Sequence, residues 1–169
     1  MKNNFKLLAI TVCTFIMGAI SAQKASPATS TSTTLKNGTV VTIQYSAPSL
    51  KGRTIGKDVE PMQGKIWRAG ADDATTFEFS KPVSINGKSI PAGKYSFFVI
   101  DNGNDWTLIL NKIWKQWGAY DYAQSQDILR FNVKPTKAST SSERLAYSVT
   151  AEGNISIKWG TVQVDFTIK

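Results

Sequence analysis

Apolar side chains recur at every second position through most of this chain, and that period constrains its fold more than any other feature. In VVTIQY, Val41, Ile43 and Tyr45 fall on one side and Thr42 and Gln44 on the other. The same phase groups Tyr95, Phe97 and Val99, then Trp106, Leu108 and Leu110, then Leu129, Phe131 and Val133, then Leu145, Tyr147 and Val149. Nearer the C-terminus Ile155, Ile157 and Trp159 align, followed by Val162, Val164, Phe166 and Ile168. Successive strand residues point to opposite faces, so this pattern describes β-strands buried on one face. Asn37-Gly38, Asn86-Gly87 and Asn102-Gly103 separate such runs, with Gly153-Asn154 as a fourth turn; these dipeptides accept the positive φ of tight hairpins. The pattern therefore predicts an all-β fold, an antiparallel β-sandwich of about 8–10 strands joined by tight hairpin turns, with a closed barrel as the alternative. No long segment has helical period and caps, so at most one or two short helices are expected, residues 112–124 being the place for one. Residues 135–143, PTKASTSSE, read as a polar loop between two strands.

The N-terminus has a different character. Lys2 and Lys6 flank the start of an apolar run over residues 7–20 that ends in SAQ. Its length lies within the roughly 7–15 residues of a secretory signal core and below the roughly 20 that span a bilayer. Residues 1–22 are thus expected to be a signal peptide, leaving residues 23–169 as a single β-sandwich domain without a membrane span. Residues 23–27 are expected to be flexible, and the threonine-rich stretch up to residue 34 reads as a leader or an edge strand. Export implies a periplasmic or extracellular location. Cys13, the one cysteine, falls inside the signal core, so the exported chain is disulfide-free and its stability must come from burial.

Composition removes several kinds of chemistry. The chain has no histidine, which excludes a Ser-His-Asp arrangement and imidazole metal ligands. Loss of Cys13 removes the thiolate nucleophile. No phosphate-cradling glycine loop is present. No cofactor and no metal site are therefore expected. The net charge of +8 is dispersed, with short clusters such as Lys112 and Lys115 and no dense basic stripe, so no nucleic-acid partner is expected. The oxygens of residues 101–105, DNGND, suit calcium but lack the distal glutamate of an EF-hand loop, and a hairpin tip accounts for them better.

Carboxylates, arginines and aromatic rings remain. Asp72 and Asp73 are adjacent, and neighbours on a strand point to opposite faces, so the pair acts as one site only in a turn. Trp106 and Trp159 share phase with apolar strand faces and belong to the core. Trp114, Trp117, Tyr120 and Tyr122 lie in IWKQWGAYDY, where no clean period holds, and an aromatic loop beside a rigid sheet makes a binding surface.

The segments PSLKGRTIG and KIWRAGADDATTF make the chain recognisable. With Tyr45 upstream, PAGKYSFF at residues 91–98, WTLILNK at residues 106–112 and Trp117-Gly118, it resembles the exported domain-of-unknown-function family numbered 2911 over residues 25–168. The resemblance implies one domain and favours a strand near residues 28–35, and it carries no established activity. Three positions depart from the family pattern: Ala47 replaces an arginine, Asp72-Asp73 replaces Asn-Glu, and the phenylalanine before Gly56 is missing.

The candidate ligand-binding set is Lys51, Arg53, Trp67, Arg68, Asp72, Asp73 and Trp117. In it the cations meet an anionic group, Trp67 offers a flat face and an aspartate orients the cations. The competing reading is a salt-bridge network that pins an irregular loop. The expected function is a non-catalytic binding or cell-envelope-associated module for a glycan or another anionic small molecule. The alternatives are a histidine-free hydrolase using carboxylates and a purely structural envelope protein.

Overall fold

The computed structural model describes residues 26–169; the expected signal segment 1–22 and residues 23–25 lie outside the described residues. Among the described residues eleven strands form: β1 (Ala28–Thr34), β2 (Val40–Ser46), β3 (Ile66–Trp67), β4 (Thr76–Phe79), β5 (Val83–Ile85), β6 (Lys88–Ile90), β7 (Gly93–Asp101), β8 (Trp106–Asn111), β9 (Asp127–Val133), β10 (Thr136–Val149) and β11 (Asn154–Thr167). Seven of them make one antiparallel sheet in the order β1-β2-β4-β7-β8-β9, with β3 also paired to β7. The fold is all-β, as the alternation requires. Among the described residues no helix is long and apolar enough to cross a membrane.

The inner face of the large sheet carries Val41 and Ile43, Phe77 and Phe79, Phe97 and Val99, and Leu108 and Leu110. The hairpin of β10 and β11 lies across that face as the second layer, supplying Leu145, Tyr147, Ile157, Trp159 and Val164 to the same core. Rings interlock between the layers: Tyr147 lies 6.2 Å from Phe77, Phe166 lies 5.6 Å from Phe131, and Trp159 stacks on Trp67 at 5.8 Å. Each buried large side chain stabilises the fold by about 1.5–3 kcal/mol, and a well-placed ring pair adds about 0.5–1.5 kcal/mol. The β5–β6 hairpin closes one end by pairing Ser84 with Lys169 through both backbone amides. Its turn residues Asn86 and Gly87 have φ of 49° and 77°, the two left-handed positions that a two-residue hairpin turn requires.

Residues 135–143 are not a loop. Apart from its first residue this segment belongs to β10, which pairs with β11 through two register shifts. Serine and threonine carry little hydrophobic signal, yet their backbones pair well in an exposed strand; Ala138 alone of the early β10 residues is buried. Residues 112–123, where a short helix is expected, form none, because turn residues and side-chain anchors set their path; the single short helix among the described residues is a 3-10 turn at Gln124–Gln126, at the end of that segment. The DNGND segment forms the tip between β7 and β8, where Gly103 N donates to Asp101 Oδ1 at 2.7 Å and Asn102 Nδ2 to Asp105 Oδ1 at 2.8 Å.

β3 and β4 both pair with β7 along the same edge: Trp67 lies opposite Val99, and Thr76 opposite Ser96. The chain between them, residues 68–75, must leave the sheet and return, and this excursion is the RAGADDAT segment.

Candidate functional site

The excursion is held by side chains whose polar atoms reach its backbone. Thr75 N donates to Arg68 O at 3.1 Å and closes the loop. Thr75 Oγ1 and Tyr147 Oη both donate to Ala69 O, at 2.9 and 2.7 Å, and Trp67 Nε1 donates to Gly70 O at 3.1 Å. Ala69 and Asp72 sit at φ of 55° and 57°. The left-handed region costs a residue with a Cβ roughly 1–2 kcal/mol, so these bonds hold a conformation the local chain disfavours. Gly70 is required by closeness: a Cβ there would lie 2.8 Å from Thr75 Oγ1 and 3.1 Å from Ser46 O. Pinned in this way, the segment runs beside residues 116–118. Ala74 N donates to Gln116 O, Gly118 N donates to Asp72 O, both at 3.0 Å, and Asp73 pairs with Trp117 as an isolated bridge.

The expected site residues therefore divide. Arg68, Asp72, Asp73 and Trp117 are brought together, with Arg68 beside Gly118. Trp67 is placed in the core instead: 3% exposed, stacked on Trp159 and edge-on to Trp106, it presents no ring face to solvent. Lys51 and Arg53 belong to a loop bound to β10, where Lys51 N donates to Glu143 Oε1. The Arg53 guanidinium is committed to its own loop, with Nε on Leu50 O at 2.9 Å and a terminal nitrogen on Ser49 O at 2.8 Å.

The outer face of the large sheet carries a feature that the alternation alone does not disclose. Ser30 pairs with Gln44, Gln44 with Thr76, Thr76 with Ser96, Ser96 with Asn111 and Asn111 with Asp127, one polar row crossing six strands. Asp127 reaches the row through a bulge, since β9 skips Ile128 in its pairing with β8; an extra residue turns the following side chain to the other face.

Half of this row anchors the aromatic loop. Asn111 is fully buried; its Nδ2 donates to Ala123 O and to Asp127 Oδ1, and its Oδ1 accepts from Ile113 N. Ser96 Oγ donates to Ile113 O at 2.8 Å, and Gln116 Nε2 donates to the same carbonyl. Asp127 Oδ2 accepts from Tyr122 Oη at 2.6 Å and from Arg130 at 2.8 Å. Below, Tyr122 and Ala119 cover a small apolar cluster of Phe98, Ile109 and Ala74. The loop is thus fixed by polar bonds and by burial while Trp114, Trp117 and Tyr120 stand 45%, 58% and 81% exposed.

Burial pushes the Tyr147 hydroxyl well above the usual tyrosine range. Burial and the bond to Asp127 push Tyr122 up to about 12. A raised folded value means stability that is complete below the unfolded value of about 10 and is lost as pH climbs through the folded value. An alkaline absorbance titration of the native protein is therefore expected to leave Tyr122 and Tyr147 protonated at about pH 11, whereas the unfolded chain ionises all its tyrosines near pH 10.

The other half of the row lines a groove of about 500 Å³. Ser30, Gln44 and Thr76 line it from the sheet, Asp73 from the excursion, and Trp114, Lys115 and Gln116 from the aromatic loop, where Trp114 is half exposed. Lys94 Nζ lies 4.7 Å from the centre of the Trp114 ring, donates to Gln44 Oε1 at 2.6 Å, and keeps Glu78 at 3.9 Å. Thr76 is 6% and Gln116 5% exposed, yet Thr76 Oγ1 and Gln116 Oε1 bond to nothing among the described residues. Both residues line the groove. A buried polar atom without a partner costs about 1–3 kcal/mol. No group of three or more acidic side chains is placed to hold a metal ion among the described residues. Thr76, Gln44, Lys94 and Gln116 were not among the residues expected from sequence. Each is a polar residue of an ordinary kind, and its membership of a site depends on which strands lie side by side.

Fold and groove together define an all-β protein of two layers that presents a polar cleft with an aromatic rim on the outer face of its large sheet. A family model described as protein of unknown function (DUF2911) matches residues 26–168, and the chain belongs to that family. No curated protein and no solved structure matches it.

Proposed function

We propose that the protein is a non-catalytic binding module, exported to the periplasm or beyond the cell, whose groove takes a glycan. The observation that carries this reading is the pair of buried, unbonded oxygens, Thr76 Oγ1 and Gln116 Oε1, beside a groove rimmed by an indole. A sugar hydroxyl both donates and accepts, so one ligand answers a hydroxyl and an amide carbonyl together. Rotation about χ1 exchanges the Thr76 hydroxyl and methyl, and no existing bond opposes turning the hydroxyl into the groove. Trp114 supplies a flat apolar surface for the ring of a sugar, and Lys94 and Lys115 accommodate anionic substituents. Among the described residues Asp73 is the one carboxylate that lines the groove. Glycoside cleavage uses two carboxyls facing each other across a cleft, which favours binding over hydrolysis.

Thr76→Val separates a ligand-directed hydroxyl from a structural one. Removing a buried hydroxyl that bonds to nothing leaves the melting temperature unchanged or raises it. The same change is expected to abolish the thermal shift that a panel of neutral and acidic oligosaccharides produces in the wild type. Trp114→Ala is expected to weaken binding roughly tenfold by calorimetry, since an aromatic contact of this kind contributes about 0.5–1.5 kcal/mol beyond its area. Binding that survives both substitutions, or a panel with no binder, would overturn the proposal.

A further inference from the structure

The groove reading leaves two exposed rings unexplained, Trp117 and Tyr120, and their placement extends that reading. Asp73 lines the groove, and its backbone pairs with Trp117 in an antiparallel bridge. Residues directly opposite in such a pair project to the same face, so the Trp117 ring stands on the groove side of this short ladder. Its backbone is held on both flanks by the bonds of Gln116 O to Ala74 N and of Gly118 N to Asp72 O. Tyr120 follows without a break: a Cβ on Gly118 would lie 2.9 Å from Tyr120 Cε2 and 3.4 Å from an Arg68 guanidinium nitrogen. Gly118, at φ of 64°, is thus the point where the tyrosine ring and the arginine both close on the backbone. Isolated exposed aromatics are ordinary, but three large rings on seven consecutive residues of an anchored backbone form a patch.

We infer that the binding surface runs from the groove at Trp114 across Trp117 to Tyr120 and Arg68, and that its ligand is a sugar chain longer than the groove itself holds. This rests on the glycan reading. Trp117 and Tyr120 act as further stacking positions along the chain, and Arg68, at the far end, donates to sugar hydroxyls or carboxylates. Both rings sit on a backbone fixed before ligand arrives, so little ordering cost opposes the contact.

The test measures affinity against length by calorimetry, using linear oligosaccharides of two, four and six units in a neutral cello-oligosaccharide series and an acidic oligogalacturonate series. In the wild type, affinity is expected to rise roughly tenfold from two to six units in the series that binds. In the double variant W117A/Y120A the gain disappears while the two-unit affinity stays as in the wild type. Both positions are largely exposed, and an unchanged melting temperature verifies that the variant is folded. A gain that persists in the double variant overturns the extension. So does a two-unit sugar that binds the wild type as tightly as a six-unit one, and that result leaves the groove reading standing. Failure of every length to bind overturns the groove reading and the extension with it.

Discussion

Trp67→Ala is expected to lower the free energy of unfolding by about 3–5 kcal/mol, the range for deleting a fully packed aromatic side chain. Three losses combine. The stack on Trp159 at 5.8 Å disappears, the edge contact with Trp106 at 6.5 Å disappears, and Gly70 O loses its indole donor. Denaturant unfolding followed by far-ultraviolet dichroism measures the change. Trp67→Phe keeps much of the volume and loses the hydrogen bond, so a smaller cost of about 1–2 kcal/mol is expected. If Trp67→Ala left stability untouched and removed ligand binding, the placement of this residue in the core would be wrong. The distinction matters because the tryptophan and arginine of the WRAGADD motif are neighbours in sequence with different tasks. Trp67 fastens the excursion to the core, and Arg68 is carried by it, half-buried, to the aromatic loop beside Gly118.

Asn111→Ala is expected to cost about 2–4 kcal/mol, and its effect is expected to concentrate in the aromatic loop. One fully buried amide serves Ile113 N, Ala123 O and the Asp127 carboxylate. Truncation strands Ile113 N and Asp127 Oδ1, while Ala123 O keeps the Gln126 amide and Asp127 Oδ2 keeps Tyr122 and Arg130; an unsatisfied buried group costs about 1–3 kcal/mol, partly relieved where water enters. Hydrogen exchange distinguishes this from a general loss of stability. Amides of residues 112–123 should lose protection, while those of β7 and β8, held by the two-layer core, should lose it only through global unfolding. Glycan affinity should fall with the loop, because Trp114 and Trp117 would no longer be fixed before binding. Equal loss of protection across the whole chain would show that Asn111 supports the core and not the loop.

These two residues mark how much of the molecule was readable from its amino acids. Trp106 and Trp159 declared themselves by sharing phase with leucines and isoleucines, and they are buried. Trp67 did not, because its strand is only two residues long and offers no period to read. Residues 135–143 were misleading for the converse reason: serine and threonine lack hydrophobic contrast, so a strand made of them looks like a loop. Asp127 lay beyond reach as well, since a single bulge carries it to the opposite face from the one that alternation assigns. Of the expected site, the residues around Asp72 and Trp117 converge because the chain leaves β7 and returns to it. Lys51 and Arg53 were linked to them only by proximity in sequence, and the fold takes that loop to β10.

What the chain determined by itself was the inward or outward direction of residues in its apolar strands, because alternation is local and one side of each of those strands is apolar. It also determined the turns, because asparagine and glycine tolerate the backbone angles a hairpin needs. Tertiary structure alone decided which outward residues became neighbours. Ser30, Gln44, Thr76, Ser96, Asn111 and Asp127 come from six strands spread over most of the chain, and only strand order and register set them in one row. Register is chosen by the packing of the opposite face, where the rings of β4, β7 and β9 must fit those of β10 and β11. The polar row, the anchored loop and the groove are consequences of how the apolar side packs.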